Sequence, residues 1–170
     1  MKKIIITSLF ISLIIPANTQ TFEETIGWIK EKLSEHAIYN IEFYPGRPTK
    51  VIQEITDYSK CKMVFHIYWW EDYGKMTNDA YYTVYFSDID INKIKYGVSE
   101  SQYEHPAVVL TVKNGSNPIK RKERWGEDSE FRTVSREHLM IEFDYPAANL
   151  DIPKRMAEAL EKYPNMDTYI

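Results

Sequence analysis

The stretch "MVFHIYWWEDYGKMTNDAYYTVYF", residues 63–86, decides the fold. Its two ends, residues 63–70 and 81–86, are rich in β-branched and aromatic side chains and read as two strands of one hairpin. Alternate residues of a strand point to opposite faces, so the aromatic cluster divides in two. Met63, Phe65, Ile67 and Trp69 share one face with Tyr82, Val84 and Phe86 of the partner strand, and this set is apolar throughout. Val64, His66, Tyr68 and Trp70 share the other with Tyr81, Thr83 and Tyr85, where aromatic bodies carry polar tips. The first set reads as core. The second is either the bed on which a helix lies or an exposed recognition patch, since exposed aromatic patches mark binding surfaces.

Strand patterns continue on both sides of this hairpin. Residues 41–43 and 51–58 precede it, and the "PGRP" between them, residues 45–48, interrupts the ladder. Ile89, Ile91 and Ile94 alternate with Asp88, Asp90 and Asn92 as a short extended piece. Residues 108–112 end in Asn114-Gly115, a tight-turn signal. Residues 118–124 are basic and read as an edge strand guarded by charge. A last strand lies within residues 131–143, with Leu139, Ile141 and Phe143 on its apolar side.

Helices flank the strands. Thr21 and Glu24 form a capping box, and Phe22, Ile26, Ile29 and Leu33 then recur at helical spacing, with Trp28 at the shoulder of that stripe. Asp151 reads as the cap of a second helix, with Pro153 in its first turn and Ile152, Met156, Ala159, Leu160 and Tyr163 on one face. Together these elements predict an α+β domain. Its centre is a strongly bent antiparallel sheet or barrel of six to seven strands, with an N-terminal amphipathic helix and a C-terminal capping helix.

The ends and the composition suggest an address. A basic start at Lys2-Lys3, an apolar run over residues 4–15 and small residues before Gln20 have the layout of a secretory signal peptide, residues 1–19. The apolar run is shorter than the ~20 residues a spanning helix needs. Residues 20–163 then form one domain and residues 164–170 a tail. The expectation is an exported, periplasmic or secreted protein with no transmembrane segment in the mature chain. A formal net charge of −4 argues against nucleic acid, whose binding rests on cationic neutralisation of phosphates. Cys61 is the chain's one cysteine, which rules out an internal disulfide; between Lys60 and Lys62 it reads as a buried thiol on a strand.

Catalytic motifs are missing from the pattern. Asp88, Asp90 and Asn92 imitate the start of a calcium loop, but Lys93 and Ser99 stand where that loop needs Gly and a bidentate Glu. His36, His66, His105 and His138 have no partner at metal-ligand spacing; His66 reads as a structural strand residue and His105 as part of a loop. G-x-S-x-G does not occur, and no glycine-rich phosphate loop is present. No catalytic residue, metal ligand or cofactor is predicted.

The strand-rich body and closing helix, over residues 38–163, resemble the pleckstrin-homology barrel, in which a C-terminal helix plugs a bent sheet. A lipocalin-like barrel is the competing likeness, although its usual Gly-x-Trp opening is replaced here by adjacent Gly27 and Trp28. The segments "TFEETIGWIKEKL", "FSDIDINKI" and "DIPKRMAEALEKY" also resemble small exported bacterial proteins of uncharacterised activity. In pleckstrin-homology domains, basic residues between the first two strands hold phosphoinositides. Only Arg47, Lys50, Lys60 and Lys62 fall near an early turn here, and the leader points away from that compartment, so this role does not carry over.

The functional expectation is a non-enzymatic binding domain that recognises a protein or envelope component through His66, Tyr68, Trp70, Tyr81 and Tyr85. The alternatives are a small hydrolase with a site assembled from separate strands, and a carrier of a small apolar ligand. Whether the helix over residues 22–33 covers the aromatic face decides between a bed and a recognition patch; a pocket lined by a His and two carboxylates would favour the hydrolase, and a large apolar cavity the carrier.

Overall fold

A computed structural model describes residues 21–44, 47–71, 74–98 and 105–163. The expected leader and the expected tail lie outside these residues. Helix α1 (Phe22–His36) begins at the capping box: Glu24 N donates to Thr21 Oγ1 at 3.2 Å, and Thr21 N donates to Glu24 Oε2 at 2.8 Å. The strands β1 (Ile38–Tyr44), β2 (Arg47–Ser59), β3 (Lys62–Glu71) and β4 (Met76–Tyr85) then run as an antiparallel meander. Two single 3₁₀ turns, Phe86–Asp88 and Ile91–Lys93, lead to β5 (Lys95–Val98). Strands β6 (Pro106–Thr111), β7 (Ile119–Trp125), β8 (Arg132–Arg136) and β9 (His138–Glu142) follow, and helices α2 (Tyr145–Asn149) and α3 (Ile152–Lys162) close the chain.

The nine described strands build two antiparallel sheets, not one closed barrel of six to seven strands. The large sheet has the order β1-β2-β3-β4-β7-β8, and the small one β5-β6-β9. Only Glu137 separates β8 from β9, so the chain passes from one sheet to the other across a single residue. The strand expected within residues 131–143 is therefore two strands in two sheets.

The core lies between the inner face of the large sheet and one face of the small one. Ile26, Ile29 and Leu33 of α1 share it with Ile55, Met63, Phe65 and Val84, with Leu110, Leu139 and Ile141, and with Met156 and Leu160 of α3. Tyr163 links the ends of three elements. Its ring lies 4.2 Å from that of Phe86 and 5.0 Å from that of Phe22, and its hydroxyl donates to the Ser59 carbonyl at 2.7 Å. Burial holds that hydroxyl protonated well above the ordinary tyrosine range.

Several local expectations are corrected. The basic segment is not an edge: β7 lies between β4 and β8, and its alternation sends Lys120, Lys122 and Arg124 outward while Ile119 and Glu123 are buried. Residues 89–94 are not a strand; Ile89 and Ile94 point into the core from 3₁₀ turns, and only Ile89 bridges to Val112. Cys61 is exposed in the two-residue β2–β3 turn. Asp151 makes no side-chain cap; it adopts a left-handed conformation, φ 53°, at the kink between α2 and α3. Asp144 supplies the cap one helix earlier, accepting from Ala147 N at 3.0 Å. Of the "PGRP" segment, residues 45 and 46 lie outside the described residues; β1 ends before it at Tyr44, while Arg47 and Pro48 pair with Tyr44 and Glu42 in the β1–β2 ladder.

Leu160 is fully buried where α3 meets this core. Leu160→Ala is expected to lower the unfolding free energy by about 2–5 kcal/mol, and Thr21→Ala, which removes only the cap, by about 1 kcal/mol. Urea denaturation followed by circular dichroism measures both.

Candidate functional site

Helix α1 lies against β1 and β2 on the face of the large sheet that carries Met63, Phe65 and Ile67 of β3. The opposite face, with His66, Tyr68, Trp70 and Tyr81, is therefore not its bed. No described helix or strand packs on that outer face, and its side chains have to satisfy one another.

They do so around His66. Its ring stacks on Tyr81, with centroids 4.2 Å apart and planes 2° from parallel, and on Tyr68 at 4.5 Å. Its Nδ1 lies 3.0 Å from Glu54 Oε1 on β2, and its Nε2 lies 2.7 Å from Asp79 Oδ1 on β4. Only the doubly protonated ring donates to both carboxylates at once. Asp79 is just 4% exposed, a costly place for an acid without partners. Its second oxygen accepts from Arg124 Nε at 3.0 Å, across the β4–β7 pairing that sets these two residues opposite each other.

The row continues beyond Arg124. Phe131, just ahead of β8, lies 6.0 Å from the Tyr81 ring, with the Lys122 ammonium and the Arg124 guanidinium each 4.9 Å from its centre. Trp70 meets Tyr68 edge-on at 6.4 Å. Because the rings stack on one another, they offer a partner their edges and hydroxyls more than their faces. Partial burial, with the Glu54 charge nearby, holds the Tyr68 hydroxyl protonated above the usual range; burial and the Asp79 charge do the same for Tyr81.

Four of the five expected binding residues thus come together: His66, Tyr68, Trp70 and Tyr81. Tyr85 does not join the stack. It pairs with Lys62 at the far end of β4 and is 43% exposed. Asp79, Lys122, Arg124 and Phe131 were missed. The alternation of "KRKERW" was the available signal, but its partner strand cannot be read from it.

The inner face holds a second arrangement. Trp69, Ile67 and Tyr82, expected in the core, are only half-buried. With Tyr39, Val51 and Met140 they wall a cleft of about 290 Å³ between the two sheets. Gln53 ties its floor to β9, donating from Nε2 to the Glu142 carbonyl at 2.6 Å and accepting from Glu142 N at 3.3 Å. The Tyr39 hydroxyl donates to Glu142 Oε2 at 2.6 Å. His105 lies outside any strand, just ahead of β6, and is buried there; its ring lies 4.2 Å from that of Tyr39 and 5.3 Å from that of Tyr145. Further along the same face, Glu123 is 1% exposed and ion-paired to Arg121 at 2.6 Å and Arg132 at 2.8 Å.

Among the described residues, no group of three or more His, Cys, Asp or Glu is placed to hold a metal ion. No described helix is long and apolar enough to cross a membrane. Comparison with protein-family models, with curated proteins and with solved structures returns no match to this chain.

Burial, then the adjacent Glu142 charge, raises the Tyr39 pKa far above its ordinary value. A proton held more tightly in the folded chain than in the unfolded one stabilises the fold below the unfolded pKa of about 10 and ceases to do so as pH rises beyond it. The urea midpoint is expected to fall between pH 9 and 11, and to fall less steeply in Tyr39→Phe.

Proposed function

We propose that the chain is an exported, non-enzymatic binding domain that recognises another protein through the outer face of its large sheet. The observation that carries this reading is the position of α1. Its apolar stripe is spent on the opposite face, so the His66–Tyr68–Trp70–Tyr81 row is left to solvent or to a partner.

The chemistry of the row favours a protein partner. Tyr, Trp and Arg are the residues enriched where protein interfaces concentrate their binding energy. Stacking has already restricted the rings, so little side-chain freedom remains to be lost on binding. Lys120, Lys122 and Arg124 give the β7 side of the face a positive character within a chain of net charge −4, which favours an acidic partner surface. A saccharide would stack on ring faces, and His66 and Tyr81 already cover each other's. A partner from the cell envelope is the setting that the leader over residues 1–19 supports.

His66 is poorly placed as the base of a hydrolase, because carboxylates occupy both of its ring nitrogens. The pleckstrin-homology likeness keeps one point of support, the helix that follows the last strand, and the two-sheet arrangement weighs against its barrel. The likeness to small exported bacterial proteins agrees with the proposed localisation and adds no activity.

Tyr68→Ser, Trp70→Ser and Tyr81→Ser combined are expected to abolish recovery of a partner from an envelope extract, with the thermal midpoint reduced by only a few degrees. Lys122→Glu leaves the stack intact and is expected to weaken capture about tenfold, since interfacial charge pairs are worth about 1.5 kcal/mol or more. Equal recovery by wild type and both variants would sink the proposal. So would an unfolded triple variant alongside full binding by Lys122→Glu.

A further inference from the structure

The passage of the chain from β8 to β9 places two cavities side by side. The cleft of about 290 Å³ lies on one side of Arg136 and His138. On the other side a trough of about 620 Å³ runs between the β6–β7 turn and the crossover, lined by Thr111, Asn114, Ser116 and Ser135 among others. Arg136 and His138 line both. One compartment is aromatic and apolar, the other is rich in hydroxyls and amides, and a cation stands at their junction.

We infer that this double cavity binds an amphipathic organic anion, whose apolar body enters the cleft between the sheets and whose carboxylate, sulfate or phosphate group meets Arg136. The argument has three parts. First, Tyr39, Trp69, Tyr82 and Met140 leave apolar surface uncovered at the cleft, and its volume sits at the small end of the roughly 300–1,000 Å³ common to ligand sites. The body is therefore a single ring or a short chain. Second, the polar groups deepest in the cleft already have partners: Gln53 is bonded to the β9 backbone and Glu142 to Tyr39. An apolar body entering there strips no lone polar group of water.

Third, the cationic end is available. Arg136 makes no ion pair among the described residues, unlike Arg121 and Arg124 of β7 and Arg132 of its own strand. Lys113 also lines the trough and donates to the Ser87 carbonyl at 2.7 Å; Glu137 is the trough's one carboxylate. His138 Nδ1 lies 3.1 Å from Thr111 Oγ1. An anionic head reaching Arg136 would gain a charge-assisted hydrogen bond at an open mouth, where its own desolvation is slight. This site lies on the inner face of the large sheet, so its failure would leave the outer-face reading untouched.

Octanoate, octan-1-ol and inorganic sulfate separate the parts by titration calorimetry on the full-length mature chain. Octanoate is expected to bind with one site per chain, octan-1-ol about tenfold more weakly, and sulfate alone not measurably, because a charged hydrogen bond is worth about a factor of ten. Arg136→Gln should reduce octanoate affinity to that of the alcohol and leave the alcohol unchanged. Met140→Trp, at a half-exposed β9 position beside the cleft, should block both without loss of fold. Equal binding of acid and alcohol, full binding by Arg136→Gln, binding that survives Met140→Trp, or no binding of octanoate at millimolar concentration would each overturn the inference.

Discussion

Everything else in the molecule depends on which face of β3 receives helix α1. The stripe of Ile26, Ile29 and Leu33 had two candidate beds on the same strand, both aromatic and both wide enough. Around Ile55, Met63, Phe65 and Val84 that face is apolar, so covering it there removes hydrocarbon from water at little polar cost. The His66 face carries the half-exposed carboxylate of Glu54 and the cations Lys122 and Arg124 among its rings, and a helix laid there would bury these charges behind a hydrophobic stripe. The free energy of burying a charge outweighs the gain from a few more aromatic carbons. That inequality sets the helix inside and leaves a stacked, charged aromatic row outside.

The second constraint is how β9 is used. Leu139 and Ile141 enter the core while Met140 and Glu142 face the cleft, so one strand serves two compartments. Its backbone at Glu142 has no further strand beside it, and the Gln53 side chain takes that place with both amide atoms. A side chain holds two sheets together less continuously than a ladder of backbone bonds would. Gln53 and Glu142, the two ends of this link, both line the cleft between the sheets.

The features legible in the sequence were those written in local periodicity. The capping box, the stripe of α1, the hairpin parity and the apolar face of α3 all rest on spacings within a few residues. What was lost depended on distant partners. Cys61 looked buried because strand-like residues flank it, but two residues suffice for a turn. Asp151 looked like a cap because of its type, and the short α2 before it forces a left-handed kink instead. Tyr85 shared the parity of the site residues yet lies beyond its reach, since parity gives a face and not a position along it. Trp69 and Tyr82 matched the core pattern, but whether an inward residue meets core or cleft depends on where the opposing sheet ends.

Strand β7 shows why charge, and not hydrophobicity, sets the register in this part of the sheet. "IKRKERW" has too few apolar residues to choose its own face, and a slip of one residue would invert every side chain. Two carboxylates prevent it from opposite sides. Asp79 of β4 holds Arg124 on the outer face, and Glu123 of β7 draws in Arg121 and Arg132 on the inner face. A slip would part Asp79 from Arg124 across β4–β7 and Glu123 from Arg132 across β7–β8, and leaving nearly buried Asp79 without that counter-ion costs far more than the pair itself contributes. The same two clamps deliver Lys122 and Arg124 to Phe131 on the outer face and leave Arg136, two turns of the pleat past Arg132 on β8, unclaimed at the mouth of the cleft. The basic segment that reads alone as a guarded edge is therefore an interior strand, flanked by β4 and β8, that positions the charges of both surfaces.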